Sequence, residues 1–329
     1  MNKKERVEAA LRGEKVDRVP VSVWGHDYER EWSVQTLAES TAENYSRYDW
    51  DYAVICPRNS YLVEGWKAKY SRSTEKDKPP VCDYSPIRSS NDWKRIRPLE
   101  ADYGALGEHL RVIQLVNHEV GYDAHFAMTL LSPLGVARRL AGNTADPLLL
   151  TMREDRRSLH TALRIINETL INFAIACLEY GASGIYYSTD DWASEGRLTQ
   201  DQYREYGEQY DLEFFDAIKS RSKFTILHNS GDHIYFDMLS TYQVQAIHWP
   251  AHLEGNPSLQ EGRRRSGKAV MGGINEQRLL KGNSVSLIQD EIATVLEQTG
   301  GEGLLLSTGK PILPGTPTKN LDAIRRALS

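Results

Sequence analysis

The sequence predicts a (β/α)8 barrel, and three observations predict it. Eight short apolar runs alternate with amphipathic helical patterns over 329 residues. The runs are apolar almost throughout, as strands buried on both faces of a parallel sheet are. Neither a Gly-x-Gly-x-x-Gly turn nor a P-loop follows a first strand, which weighs against the runner-up, a doubly wound open sheet.

The chain opens on a helical stretch, Lys3–Leu11, ahead of the first strand, Val19–Gly25. A helix over Ser33–Arg47 leads into the second strand, Tyr52–Cys56. The following segment, 58–123, is too long for one strand–helix connection. Its middle (Lys76-Asp77-Lys78-Pro79-Pro80) is polar and proline-rich, with Trp66, Tyr70, Tyr84 and Trp93 scattered around it. We read it as an insertion over the barrel mouth, carrying a helix over Ala105–Glu119 and either packed around those aromatics or forming a mobile lid. The third strand is His125–Leu131. After Glu154, Leu159, Leu163, Ile166, Leu170, Phe173 and Cys177 advance in steps of four and three, the stripe of one helix face that Gly181 ends. Gly184–Ser188 is the fourth strand. A helix over Thr199–Ser220 starts with capping-box spacing between Thr199 and Gln202. Strands five to seven are Phe224–His228, Ala246–Trp249 and Ala269–Ile274. Arg263-Arg264-Arg265 reads as a solvated helix end before the seventh, or alternatively as a docking patch for an acidic partner. A helix over Val285–Gln298, the last strand Gly303–Ser307 and a helix over Thr318–Leu328 complete one domain spanning 1–329.

Composition narrows the function. Lys+Arg 40 against Asp+Glu 45 gives a net charge of −5, with no broad basic face for nucleic acid. No apolar run approaches the roughly 20 residues of a bilayer span. The charged opening lacks the apolar core of a secretory signal, so a cytoplasmic protein is expected. Three widely spaced cysteines (Cys56, Cys82, Cys177) make neither a disulfide framework nor a zinc knuckle.

A barrel gathers its chemistry at the strand C-termini. Those positions hold Trp24-Gly25-His26-Asp27-Tyr28, Pro57-Arg58-Asn59, Ser132-Pro133-Leu134-Gly135 with Arg138 and Arg139, and Ser188-Thr189-Asp190-Asp191-Trp192. They continue with His228-Asn229-Ser230-Gly231, His248-Trp249, Gly273-Ile274-Asn275-Glu276 and Ser307-Thr308-Gly309-Lys310. A lone histidine at such a place is more often structural, but three from three strands favour a role for at least one. Asp190-Asp191 either caps a helix, or positions a cation or shares a proton. Lys310 is either a solvated loop residue or an anion ligand and acid.

Three stretches resemble the uroporphyrinogen decarboxylase superfamily, which includes corrinoid-dependent methyltransferases. They are Lys4–Gly13 continuing through Asp17-Arg18-Val19-Pro20-Val21; the middle motifs Ser132–Gly135, Asp191-Trp192-Ala193 and Leu227-His228-Asn229-Ser230-Gly231; and Gly309–Leu321. The resemblance implies the same barrel. It also marks departures. The family's decarboxylases grip substrate carboxylates with an Arg-Gln-Ala-Gly-Arg segment, where this chain has Trp24-Gly25-His26-Asp27-Tyr28-Glu29-Arg30. Their aspartate for the pyrrole nitrogens corresponds to the stretch Cys56-Pro57-Arg58, their serine to Asp191 and their C-terminal histidine to Lys310. The thiol-methylating branch holds zinc with His-x-Cys and a later Cys; here His228 remains, with Ser230 and Lys310 at the cysteine positions.

The resemblance therefore points to a methyltransferase that moves a methyl group between a small methylated substrate and a corrinoid on a partner protein. Decarboxylation of a tetrapyrrole acid is the alternative, and a non-catalytic barrel binding an anionic small molecule the second. His228 and Asp191, with Asp190 and Lys310, are the expected catalytic groups. His26, Tyr28, Arg58, Arg138, Trp192, His248 and Asn275 are expected to bind and orient the substrate. A zinc site would use His228 with His26, His248 or Asp191. The expected partners are the small substrate, a corrinoid protein and a second copy in a homodimer, with no nucleic acid and no membrane.

Overall fold

The computed structural model describes residues 1–279 and 285–328. Its central sheet has seven parallel strands: β1 (Tyr52–Ile55), β4 (His125–Leu131), β5 (Gly184–Ser188), β6 (Phe224–His228), β7 (Ala246–His248), β8 (Ala269–Ile274) and β9 (Leu304–Thr308), neighbouring one another in that order. Two short strands, β2 (Lys69–Ser71) and β3 (Val81–Tyr84), form a separate antiparallel hairpin. Helices α1 (Lys3–Leu11), α2 (Val34–Tyr48), α3 (Ala105–Glu119), α4 (Pro133–Leu140), α5 (Asp146–Glu154) and α6 (Arg156–Glu179) belong to the first half. The second half has α7 (Gln200–Tyr203), α8 (Gln209–Ile218), α9 (Phe236–Ser240), α10 (Leu259–Ser266), α11 (Glu276–Leu279), α12 (Val285–Thr299) and α13 (Thr318–Arg326).

The expected first strand, Val19–Gly25, is not a regular strand; only two parallel bridges form, Val21 to Leu306 and Gly25 to Ile312. It still takes the eighth place in the ring. Ser22 N donates to Leu306 O, Leu306 N to Pro20 O, and Asp51 N to Val21 O. The ladder fails because Pro20 has no N–H and the Val21 N–H is taken by the Asp51 carboxylate at 2.9 Å. Beyond Val21, no backbone hydrogen bond joins this segment to β1 among the described residues. The barrel wall is open along that seam.

The continuous apolar runs resolve into two shells by alternation. Tyr52, Val54 and Cys56 face the barrel interior together with Tyr186, Phe224, Ile226, Ala246, Met271 and Leu305. Ala53, Ile55, Ile185, Tyr187, Leu227 and Ile247 belong to the larger cluster beneath the helices. Helix α1 closes the bottom, putting Val7 into the interior cluster. The opening motif has a structural reason here. Arg6 reaches Asp51 at 2.7 Å and Asp17 at 2.8 Å, and Arg18 reaches Asp51 at 2.6 and 2.9 Å.

In segment 58–123, Trp66 and Trp93 are buried, their indole N–H groups donating to Arg97 O and Thr151 Oγ1. Tyr70 donates to Arg139 O, while Tyr84 is exposed. The expected helix over Thr199–Ser220 is broken by a π turn at Arg204–Glu208. Helix α6 is long and apolar enough by length and composition to cross a membrane, yet its stripe from Leu159 to Cys177 is buried in the protein core.

Candidate active site

Strand parity puts a layer of polar groups on top of the interior apolar shell. His228 and His248 are register partners on β6 and β7, and Ser188 pairs with His228 from β5. His248 Nε2 donates to Thr308 O at 2.7 Å, which leaves Nδ1 to accept the Tyr186 hydroxyl at 2.8 Å. Burial pushes the His248 pKa down to about 4. His228 packs over both rings, 4.5 Å from His248 and 5.4 Å from Tyr186 between centroids. Burial, aided by the neighbouring His248 and Lys310, takes its pKa well below the ordinary range, so the ring is neutral at pH 7. Its Nδ1 is buried without a hydrogen-bond partner. A neutral imidazole on a cavity wall brings one donor and one acceptor nitrogen to the site.

His228 lines a cavity of about 180 Å3 with Trp24, His26, Cys56, Tyr186, Asp190 and Lys310, among others. Asn59, Asp190, Ser230, Lys310 and Pro311 are partly exposed, so the cavity opens to solvent at the C-terminal end of the barrel. Asp190 sits in the left-handed region (φ 51°), an uncommon conformation for an aspartate. Its carboxylate is clamped by Arg139 at 2.6 and 3.3 Å, and its carbonyl accepts Ser230 N at 2.7 Å. Lys310 makes no ion pair with the described residues.

The resembling motifs build this floor. Ser132 caps α4 by accepting Gly135 N, and a side chain at Gly135 would press on the Asp190 carboxylate at 3.1 Å. Asn229 accepts Gly231 N and donates to Thr189 Oγ1, tying the β5 and β6 ends together. Ile312 N donates to Trp24 O. A Cβ on Gly25 would lie 2.2 Å from Ile312 O, so only glycine admits that crossing.

Of the residues expected from sequence, His228, Asp190, Lys310 and His26 meet at the cavity. Asp191 does not: it turns outward to Arg138 at 3.1 Å and Arg197 at 2.6 Å, and Asp190 stands in its place beside His228. Arg138 is spent on that pair. Arg58 is buried against Glu64 and the Glu31 carbonyl, away from the cavity. Tyr28 stacks on His26, their centroids 5.0 Å apart. Trp192 is fully buried in the outer core, and His248 lies beneath the site. Asn275 caps the turn into α11 by accepting Gln277 N. Cys56, Tyr186 and Glu31 went unassigned. Parity from Val54 would have found the first, whereas nothing in the sequence marks Glu31.

The zinc expectation finds no matching ligand set. Both His248 nitrogens are engaged, Asp191 points elsewhere, and no three His, Cys, Asp or Glu side chains gather in ligating geometry among the described residues.

A profile described as Uroporphyrinogen decarboxylase (URO-D) matches residues 2–329. The chain belongs to the uroporphyrinogen decarboxylase family. Among its relatives, the uroporphyrinogen decarboxylase of Microcystis aeruginosa is 26% identical over 256 residues, 74% of this chain and 69% of that one. That of a Nostoc species is 26% identical over 258 residues, with the same shares. Among solved structures, a methyltransferase from Methanosarcina mazei superposes with a TM-score of 0.82 at 22% identity, covering 99% of this chain and 98% of that one. A B12-independent methionine synthase from a Shewanella species reaches 0.58 at 12% identity, over 89% and 85%. Both likenesses support the barrel of this family.

Proposed function

We propose that this family member transfers a methyl group between a small methylated substrate and a corrinoid carried by a partner protein, as a cytoplasmic enzyme. The observation that carries the reading is how the mouth cations are spent. Arg58 pairs with Glu64, Arg138 with Asp191, Arg139 with Asp190 and Arg30 with Glu43. Lys310 is left facing the mouth cavity. A macrocycle with eight carboxylates needs several free cationic clamps. A small molecule with one anionic or electron-rich group needs one.

In this reading Lys310 neutralises that group, and as the leaving atom gains electrons its ammonium supplies charge or a proton. His228, on the cavity wall, hydrogen-bonds the substrate through its neutral ring, held in place by the His248–Tyr186 pair beneath. Asp190 with Arg139 forms a fixed polar wall. A corrinoid supplies the methyl acceptor or donor. The partly exposed rim at Asn59, Ser230 and Lys310 suits delivery from a partner, since the reacting groups lie directly below an open mouth. The relatives' name favours a second reading, decarboxylation of a tetrapyrrole acid. One experiment separates the two. The protein is given uroporphyrinogen III and, separately, methylated amines, alcohols and thiols with reduced cobalamin. Methylation of the cobalamin by one substrate class supports the proposal; conversion of uroporphyrinogen to coproporphyrinogen overturns it.

A further inference from the structure

Cys56 occupies a place the methyl-transfer reading does not use. It ends the inward-facing row Tyr52, Val54, Cys56, and it lies buried against the partly exposed His26 at the point where two cavities meet. One is the mouth cavity. The other is a cleft of about 740 Å3 between the seam, helix α2 and the 312–318 loop; Trp24, His26 and Cys56 line both. The cleft exists because residues 22–26 follow β9 and leave β1, with Asn44 Nδ2 bonding Val23 O in place of a strand partner.

The Cys56 Sγ lies 3.7 Å from each ring nitrogen of His26. His26 Nδ1 donates to Glu31 Oε1 at 2.7 Å, which leaves Nε2 as the nitrogen able to exchange a proton with the thiol. Glu31, which lines the cleft, is 1% exposed, and its second oxygen, Oε2, is buried without a partner. Trp24 Nε1 is likewise buried without a partner. Burial opposes charge on His26, but Cys56 and Glu31 outweigh it and raise the imidazole well above its ordinary range. Thiol, imidazole and oriented carboxylate stand in the order that activates a nucleophile. Equal Sγ distances to both nitrogens place the sulfur beside the ring, so the proton exchange takes a small reorientation of the Cys56 side chain.

We propose that Cys56, His26 and Glu31 form a thiol–imidazole–carboxylate relay that makes Cys56 a nucleophile toward small molecules with an electrophilic alkyl carbon, reached through the seam cleft. The thiol proton passes to His26 Nε2. The Sγ–carbon bond forms as the bond from carbon to the leaving group breaks. The leaving group departs with the bonding pair and takes the proton from His26. Glu31 is a positioning residue, since it acts through the ring.

The three cysteines supply the test within one sample. Cys82, partly exposed on the hairpin, serves as the ordinary thiol, and Cys177, fully buried, as the inert one. Peptide-resolved alkylation with iodoacetamide near neutral pH should label Cys56 at least about tenfold faster than Cys82 despite its lower exposure, because only the thiolate reacts. His26→Gln should remove that excess, and Glu31→Gln should lower it by a smaller factor, with the Cys82 rate unchanged in each. A Cys56 rate at or below that of Cys82 in the unaltered protein overturns the proposal without any variant. So does a His26→Gln protein that keeps the excess. The label reads the thiol directly, so the result is independent of whether methyl transfer occurs.

Discussion

The two ends of this barrel treat buried charge in opposite ways. At the bottom, Asp51 is fully buried yet accepts from Arg6, Arg18 and the Val21 N–H, and Arg6 also holds Asp17. At the mouth, His228 Nδ1, Glu31 Oε2, Trp24 Nε1 and Glu276 Oε2 are buried with no partner. At the bottom the charged groups just named are paired, while the neutral Tyr52 hydroxyl goes without a partner. An unpaired buried polar group costs on the order of 1–3 kcal/mol, so a stable fold keeps such groups only where something else gains from them. The bottom uses its charge to close a seam that Pro20 leaves without a ladder. The mouth holds its polar groups ready for a ligand.

The largest effect should come from breaking the paired end. Asp51→Asn leaves Arg6 and Arg18 facing an uncharged group and should cost about 3–5 kcal/mol in denaturant unfolding. Loss of under about 1 kcal/mol would show that the two ends do not differ in this way. Acid should act first at the other end. The Arg6 contacts hold the Asp17 carboxyl well below its ordinary range, so the Arg6–Asp17 pair persists on acidification. His248 is pushed to about 4 by burial, and burial also depresses His228 and takes His109 to about 3. Below about pH 6.5 the unfolded chain binds protons that these folded histidines refuse, so their contribution is complete above that pH and falls towards pH 4. His26, whose burial is outweighed by Cys56 and Glu31, is raised and works the other way, losing stability as pH rises above about 6.5. His248 alone should account for about 3 kcal/mol. Asp211, raised by burial to about 6 although three tyrosine hydroxyls donate to it, works in reverse, losing stability as pH rises between about 4 and 6. The melting temperature should therefore drop from about pH 7 to about pH 4.5, and more steeply in Asp211→Asn. A flat profile would contradict the burial of neutral histidines at the mouth.

What the sequence could reveal follows the same division. Strands β4, β5, β6 and β8 match the predicted bounds because buried parallel strands are apolar on both faces and end at abrupt polar turns. The Val19–Gly25 run carries the same signal but lacks a ladder, since hydrogen-bond competition from Asp51, thirty residues on, leaves no local mark. Helices α4 and α5 were not anticipated, although Ser132 with Pro133 is an N-cap followed by proline at the first helical position. Which of Asp190 and Asp191 faces the cavity depends on one left-handed backbone angle, invisible in a pair of identical residues. Glu31 lies outside every regular element, so no periodicity could aim it at His26.

Replacing the unpartnered imidazole sharpens the contrast from the functional side. His228→Gln keeps a polar group of similar size in a site whose Nδ1 has no partner to lose, so stability should change by less than about 1 kcal/mol. Turnover of whichever methylated substrate the protein accepts should fall at least about 100-fold. Equal loss of stability and activity would make His228 a structural residue, like those at the bottom.

The smallest effect expected is at Lys310, and it separates binding from chemistry. Lys310→Met keeps the length of the side chain and removes the one cavity-lining cation that makes no ion pair among the described residues. If the ammonium only neutralises an anionic substrate group, KM should rise about tenfold with kcat unchanged, the sign of binding shared equally by ground and transition states. If it also protonates the leaving atom, kcat should fall as well. Removing its charge also relieves one cause of the depressed His228 pKa, so the acid limb of the rate profile should move to higher pH in the variant. A variant with unaltered KM, kcat and acid limb would mean that Lys310 is a solvated loop residue, and the mouth would then hold no cation of its own for a substrate.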